Sequence, residues 1–511
     1  MTTLVICPQC GRTAEIVPGE HPFCRHCDYP LFWVAPRPTP VTPIEFEPEP
    51  VVGVVCAACS THNESGRTLC RLCGQPLIPL AVRRRRSWEV VVPEEPAQSP
   101  RKKFILGIAA GIASVALLAL LVGSLWYFFW PRAEWEVVIL DEGESSWDVA
   151  ATLQRGLPVI SYVDASDFTL RVVACGSPFC DGLGTPTIRT TVAVIGDRGQ
   201  GYGTAIVVGA DGHPVIAFRD GVRQAMMVAH CGDPQCSDPG AITITELDPG
   251  AGVDDPAANV GSDISMAIGL DGLPIIAYHD ITRGALKVAH CENKDCTEST
   301  IAVLDRSADA ANNPDAEGVG LDTSIQVGRD GLPIIAFRDA DDRSLRIAHC
   351  SDERCTQAVL LTMVQAPGLD PGHDSALVLA PDGSPIVAYT DWSDDGVYVA
   401  KCADATCADV TVRRIDRAEQ GTSGDTSIVI DREGQPVVVF RQKEPGDERA
   451  SRILKIVYCR DLGCERSTEP EAVDSVGRTG YTPRLLVLND GTIAIAYGDA
   501  TQGALEYAVL R

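Results

Sequence analysis

The sequence predicts a mainly β chain whose largest part is a seven-bladed β-propeller, and three observations predict it. A ten-residue phrase recurs seven times: "RGLPVISYVD" from Arg155, "DGHPVIAFRD" from Asp211, "DGLPIIAYHD" from Asp271, "DGLPIIAFRD" from Asp330, "DGSPIVAYTD" from Asp382, "EGQPVVVFRQ" from Glu433 and "DGTIAIAYGD" from Asp490. The copies step by 56, 60, 59, 52, 51 and 57 residues. At that period each repeat is a blade of several short strands, whose sheet cannot bury both faces until neighbours stack against it. The second observation is a cysteine pair spaced C-x4-C after six of the seven copies. The third is "WEVVILD", Trp135–Asp141, a strand with no partner before the first copy, whereas the seventh copy ends at "GALEYAVLR" without a cysteine pair or a fourth strand. The isolated strand is expected to complete the last blade and close the ring over residues 135–511. A six- or eight-bladed count or an open array is the alternative; seven accounts best for the strands.

Each blade follows one grammar. A short alternating strand such as "TSIQVG" meets a two-residue Asp-Gly turn, where Gly tolerates positive φ, and the chain returns as "LPIIAFRD". That second strand is an almost continuous apolar run, as expected where both faces pack on neighbours. A third strand, "LKVAHC" or "LRIAHC", leads into the cysteine pair, and a fourth, such as "STIAVLD", follows it. The pairs are Cys175 with Cys180, Cys231 with Cys236, Cys291 with Cys296, Cys350 with Cys355, Cys402 with Cys407 and Cys459 with Cys464. If each brackets a hairpin tip, its Cα atoms reach disulfide distance, and no second knuckle is present to complete a zinc site. Closing so short a loop contributes roughly 2 kcal/mol.

The other eight of the 20 cysteines form C-x2-C knuckles: Cys7 with Cys10, Cys24 with Cys27, Cys56 with Cys59 and Cys70 with Cys73. Two such knuckles supply the four thiolates of one closed, tetrahedral Zn2+ site, so two structural zinc ions are expected and no open position for catalysis. Disulfides are the competing reading. "CAACSTHNESGRTLCRLCGQPL", Cys56 to Leu77, resembles the zinc-ribbon modules of bacterial proteins, and "CPQCGRTAEIVPGEHPFCRHCDYPL", Cys7 to Leu31, is similar but has Asp28 where Gly is usual. The resemblance implies small metal-held domains at 1–35 and 53–80 rather than an activity.

Disulfides persist in oxidising compartments and zinc thiolates in reducing ones, so a barrier between the two sets is expected. "FILGIAAGIASVALLALLVGSLWYFFW", residues 104–130, has no charge and no proline and is long enough to cross a membrane once as a helix. Arg83 to Arg86 and Arg101, Lys102 and Lys103 precede it, and the aromatic run Trp126–Trp130 ends it. This asymmetry orients the amino terminus to the cytoplasm and the propeller to the outside of the cell membrane, in a chain read as bacterial. A cleaved signal peptide is the other reading, opposed by the long segment that precedes the run. Residues 36–52 form a Pro-rich linker and 81–103 a basic juxtamembrane one, neither with packed structure.

Residues 1–134 hold 13 Lys and Arg against 11 Asp and Glu, which leaves 30 against 58 in residues 135–511, a net of −28. Such a field argues against nucleic acid or anionic lipid as the propeller's partner. Function has to come from a site, because the fold hosts many. Asp148, Asp263, Asp322, Asp374 and Asp425 stand just before the first strands, and would ring one mouth of the central channel if those strands are innermost. Ca2+ or another hard cation could sit there. Gly203 and Thr482 break the series. A second series ends the second strands: Asp164, Arg219-Asp220, His279-Asp280, Arg338-Asp339, Asp391, Arg441-Gln442 and Asp499. Pairing between blades is the blander expectation for both series. His230, His290 and His349 are read as hairpin packing residues. No catalytic residue is assigned. The chain is expected to be a membrane-anchored surface protein that binds or senses an extracellular ligand or protein while its ribbons meet a cytoplasmic partner. The alternatives are a surface-tethered hydrolase or lyase acting on a polysaccharide, and a purely structural envelope protein.

Overall fold

Seven sheets of four antiparallel strands follow one another along the chain, in a computed structural model that describes residues 134–142, 146–182, 187–196, 203–249, 259–308, 317–416, 423–443 and 452–511. Four short strands, Thr3–Ile6, Thr13–Ile16, Gly53–Val55 and His62–Glu64, are also described, and they pair as two hairpins. The eight knuckle cysteines, Cys7, Cys10, Cys24, Cys27, Cys56, Cys59, Cys70 and Cys73, lie outside the described residues, as do the apolar run 104–130 and both linkers. Among the described residues no helix is long and apolar enough to cross a membrane.

Blade four shows the pattern. Its strands are Val319–Val327, Pro333–Asp339, Ser344–Cys350 and Ala358–Val364, hydrogen-bonded in that order. The first strand of each blade touches the first strand of the next, and the seventh touches the first, so the inner strands close a ring. The second strands are buried along almost their whole length, as the apolar runs predict. One hydrophobic cluster fills each of the seven interfaces between blades; between blades three and four, Ile275, Ala277, Leu286 and Val288 meet Ile335, Phe337 and Ala348. Each large aliphatic or aromatic side chain buried this way contributes about 1.5–3 kcal/mol.

The ring closes as the sequence predicts. Blade seven consists of Tyr481–Val487, Ile493–Asp499 and Ala504–Leu510, and Trp135–Glu142 pairs antiparallel with the last of these from Leu510↔Trp135 to Ala504↔Glu142. Reciprocal backbone hydrogen bonds between Glu134 and Arg511, 2.9 and 3.0 Å, extend the clasp by one residue.

All six C-x4-C pairs are disulfides between the third and fourth strands: Cys175 to Cys180, Cys231 to Cys236, Cys291 to Cys296, Cys350 to Cys355, Cys402 to Cys407 and Cys459 to Cys464. Their Cα separations run from 4.7 Å at Cys402 and Cys407 to 5.1 Å at Cys231 and Cys236. The second cysteine of every pair has φ between 52° and 54° or, at Cys464, 51°. Its amide closes a tight turn onto the third residue of the loop: Ser177, Asp233, Asn293, Asp352, Asp404 or Asp461. In the last five, that residue's side chain also accepts a backbone N–H further along the loop, at 2.9 Å in Gln235→Asp233 and 2.8 Å in Thr406→Asp404. In these five blades the full motif is C-x-(Asp or Asn)-x-x-C, an Asx turn that favours the hairpin tip before the sulfurs join.

Two details correct the sequence-based reading. Only blade one has the expected two-residue turn, with Arg155 and Gly156 both at positive φ between the paired Gln154 and Leu157. In the other blades the loop is longer. In blade two, Gly209 bonds His213 and Gly212 bonds Gly209, so a type I turn ends in a left-handed glycine, and the Asp211 carboxylate caps it through the His213 amide at 3.1 Å. The second correction concerns the five aspartates, which lie inside the first strands, at a bulge, rather than before them.

Candidate functional site

Both series of singled-out residues come to one face of the propeller, where first and third strands begin and second and fourth strands end. The Asp-Gly turns and disulfide tips occupy the other face.

At each bulge the chain steps out of register, for example between Leu321 and Ser324 opposite Arg338 and Ala336. The bulged residue takes a left-handed conformation: φ is 51° at Asp148 and Asp263, 50° at Asp322 and Asp425, and 53° at Asp374. Aspartate tolerates that region better than most side chains, and bulges are a device for re-aiming one. The result is a circle of half-buried carboxylates joined blade to blade. The Asp263 carboxylate accepts the Asp322 amide at 3.2 Å, and the Thr323 hydroxyl reaches the Asp263 carbonyl. Ser375 and Thr426 repeat the second bond to the carbonyls of Asp322 and Asp374. Blade seven substitutes Thr482, also at positive φ (41°), whose hydroxyl accepts the Val149 amide at 2.8 Å and so carries the linkage into blade one.

The circle carries excess negative charge in an enclosed place. Burial raises the Asp148 carboxyl to about 7; Arg484 opposes the shift, and Asp425 and Asp263 add to it. Asp374 is likewise raised to about 7 by burial and by Asp425, and Asp322 is pushed well up by burial, Asp263 and Asp374. Burial and mutual repulsion both favour the neutral acid at these positions.

The second series is mostly structural, in line with the blander expectation. Its aspartates cap the turn to the third strand, as in Arg223→Asp220 at 2.9 Å, Arg283→Asp280 at 3.0 Å and Ser393→Asp391 at 2.9 Å. The residue before the aspartate bridges to the next blade. Arg219, 1% exposed, donates to Asn259; a ring nitrogen of His279 lies 2.9 Å from the Val319 carbonyl; and Arg338 donates to Asp370 at 3.1 Å. His290 and His349 each lie 2.9 Å from the turn aspartate of their own blade, Asp271 and Asp330. Asp211, His213 and His230 group at the same turn of blade two, where His230 also meets Asp295 at 2.5 Å.

Sequence reasoning missed a cationic cluster between blades six and seven. Arg441 stacks on the Tyr481 ring, 3.9 Å from its centroid, and pairs with Asp425 at 2.5 Å. Arg478 donates to the Tyr481 hydroxyl at 2.8 Å. Arg452 lies beside both; burial and its neighbours Arg441 and Arg478 weaken its hold on the proton, and its buried Nη1 finds no hydrogen-bond acceptor among the described residues. These residues come from strand ends well apart in the chain, and only Arg441 belongs to a repeated phrase. A further polar and aromatic group lies at blade five, where the exposed Trp392 stacks face to face on His373 at 3.8 Å. Burial and Arg338 lower the His373 imidazole to about 4.

No family profile matches the chain, and no curated protein does. Solved structures are similar in fold. An ulvan lyase of polysaccharide lyase family PL25, bound to -[GlcA(1-4)Rha3S]-, superposes with a TM-score of 0.55 at 9% identity, covering 73% of this chain and 96% of that one. A protein of unknown function from Dyadobacter fermentans gives 0.45 at 10% identity over 75% and 98% of the two chains. An alpha-L-arabinanase from Penicillium chrysogenum gives 0.42 at 12% identity over 75% and 98%. The likeness to the ulvan lyase is one of fold alone, at an identity that carries no activity with it.

Proposed function

We propose that the propeller recognises an acidic polysaccharide across the face that holds the aspartate circle and the arginine cluster. The observation that carries this reading is Arg441, Arg452 and Arg478 gathered around Tyr481 in a region whose net charge is −28. Guanidinium groups brought together against their own repulsion, one with an unfilled buried donor, suit the carboxylates or sulfates of a glycan. Trp392, exposed and braced by His373, offers an apolar plate for a sugar ring. The ulvan lyase of the same fold is bound to a glycan of this chemical kind, which supports the reading. The aspartate circle Asp148, Asp263, Asp322, Asp374 and Asp425 would hold Ca2+ or another hard cation beside it.

Turnover is the second reading, favoured by Tyr481. In an elimination the arginines would hold a uronate carboxylate while the Tyr481 oxygen, as phenolate, takes the proton from the carbon beside that carboxylate. The electron pair left behind forms a carbon–carbon double bond as the bond to the glycosidic oxygen breaks, and that oxygen leaves with the proton returned by the phenol. In either case the segment 104–130 anchors the chain in the cell membrane with the propeller outside. Cys7, Cys10, Cys24 and Cys27 hold one zinc ion inside, and Cys56, Cys59, Cys70 and Cys73 a second, in ribbons available to a cytoplasmic protein.

The test is binding of the full chain to a panel of uronate-containing, sulfated and neutral polysaccharides. Acidic chains are expected to bind, more weakly as salt rises, and Arg452→Ala or Arg478→Ala to lower affinity at least tenfold. Equal binding of neutral glycans, or none to any glycan, would sink the proposal. Appearance of an unsaturated product that Tyr481→Phe abolishes would establish turnover.

A further inference from the structure

One position of the blade repeat has its charge inverted. The residue of the third strand that pairs with the aromatic residue of the second is Arg171 opposite Tyr162 in blade one, Lys287 opposite Tyr278 in blade three, Arg346 opposite Phe337 in blade four and Lys455 opposite Phe440 in blade six. Every one of these blades also receives an aspartate from the fourth strand of the blade before it, or from just beyond that strand: Asp141, Asp248, Asp305 and Asp416 respectively. The cation neutralises that aspartate, directly or, in blade six, through Gln442. Blades two and five carry Met227 and Tyr398 at the position. Blade seven receives Asp474 and has its own Asp499, yet the paired residue opposite Tyr497 is Glu506. Three carboxylates meet where blades one, three and four hold two acids and a cation.

Nothing among the described residues replaces the missing charge: no ion pair reaches Asp474, Asp499 or Glu506. One oxygen from each lies within 4.8 Å of the others. Asp499 and Glu506 are 0% and 1% exposed, and among the described residues Asp499 Oδ2 and Glu506 Oε2 have no hydrogen-bond partner. The other oxygens are held in place. Asp499 Oδ1 accepts the Gln502 amide at 2.9 Å, Glu506 Oε1 accepts the Gln502 side chain at 3.3 Å, and Asp474 Oδ2 accepts the Tyr497 and Thr479 hydroxyls at 3.0 and 2.8 Å. Two buried, unpartnered carboxylate oxygens beside a third carboxylate are costly unless something positive fills the gap.

We infer that a divalent cation, Ca2+, binds Asp474, Asp499 and Glu506 in the place of the guanidinium or ammonium of the other blades. The donors are all oxygens, which suits a hard cation, and the half-buried Asp474 leaves a route from solvent. The site joins blade six to blade seven, and Glu506 pairs across the closing ladder with Ile139 of the strand that seals the ring. Calcium would therefore tie the seam that the chain's two ends make.

The test uses the full 511-residue chain in mild detergent, freed of calcium and titrated with CaCl2 by calorimetry at about pH 7.5. Calcium binding is expected, together with a rise of several degrees in the propeller's melting temperature. Glu506→Gln should weaken binding at this site at least tenfold. Glu506→Lys, which restores the rule of the other blades, should abolish one calcium site and melt without calcium at least as high as the unsubstituted protein does with it. If the unsubstituted chain binds no calcium, or if Glu506→Lys keeps every site, the inference fails. Asp148→Asn, at the aspartate circle, should leave this site's affinity unchanged, which separates it from any ion held there.

Discussion

Lys287 shows how much one side chain decides in this fold. Its ammonium bonds the Asp248 carboxylate and stands 3.6 Å from that of Asp280, whose side chain is fully buried, while the Tyr278 hydroxyl donates to Asp248 at 2.8 Å. Removing the cation breaks a buried pair and takes one positive charge from beside two acids, of which Asp280 keeps Arg283 at 3.1 Å; breaking such a pair typically costs about 3–5 kcal/mol, far more than the ordinary effect of a surface substitution. Lys287→Met is therefore expected to lower unfolding stability by about 3 kcal/mol or more in urea denaturation. Restoring part of that loss with Asp248→Asn in the same chain would locate the cost at the pair; no loss in Lys287→Met alone would refute the account. The sequence made Asp280 visible because it ends a repeated phrase. It hid Asp248, which lies 39 residues before its partner, on a fourth strand whose spacing varies from blade to blade. Residues that act across an interface carry no local signal; the arginine cluster around Tyr481 was hidden for the same reason.

At the scale of the element, strands, turns and disulfides were legible because each depends on nearby residues: alternation, Asp-Gly, C-x4-C. The bulge was not. In three of the five blades a glycine stands two positions before the aspartate, in Gly261-Ser-Asp263, Gly320-Leu-Asp322 and Gly372-His-Asp374, with Gly480-Tyr-Thr482 in the same place, whereas blades one and six have Ser146 and Ser423 there. Gly320 has φ +89°, and a Cβ there would lie 2.6 Å from the Leu286 Cα of the preceding blade. The glycine lets one blade's first strand lie against the backbone of its neighbour, and the chain must then step outward, which turns the aspartate to the channel. Gly320→Ala combines left-handed strain with backbone overlap, together about 3 kcal/mol. Gly182→Ala is the matched control, because its φ is +69° but none of the described residues lies within 4 Å of the added carbon. It should cost only about 1–2 kcal/mol. Equal melting temperatures for the two variants would show that close approach of the blades is not what Gly320 provides.

For the whole molecule, the distribution of carboxylates sets an unusual response to pH. Two populations oppose each other. Asp382 and Asp404 are held below the usual range by the hydroxyls and amides of Ser384 and Thr406, and Asp490 by the Thr492 amide. Their stabilisation is present above the unfolded value near 4 and is lost as pH falls. Asp148 and Asp374 are raised to about 7, Glu506 to about 8, and Asp322 rises well above its ordinary value, in every case by burial first and by neighbouring acids after it. For these the folded protein binds more protons than the unfolded chain from about pH 4 up to the raised value, so stability falls as pH rises through that window. The protein should therefore be most stable near pH 5 and weaken on both sides, with the fall toward pH 8 made by a circle of acids and one seam rather than by the general net charge of −28 that residues 135–511 carry. Melting temperatures of the calcium-free chain from about pH 3 to 9 check this. General charge repulsion would give a fall that high salt removes, because exposed charges are screened within a Debye length of about 10 Å at 0.1 M ionic strength. Enclosed acids are screened much less, so the fall should persist in about 0.5 M NaCl and flatten in a double variant that combines Asp148→Asn with Asp374→Asn. A plateau from about pH 5 to 8 in low salt would mean that the circle is already neutralised by groups of the protein itself.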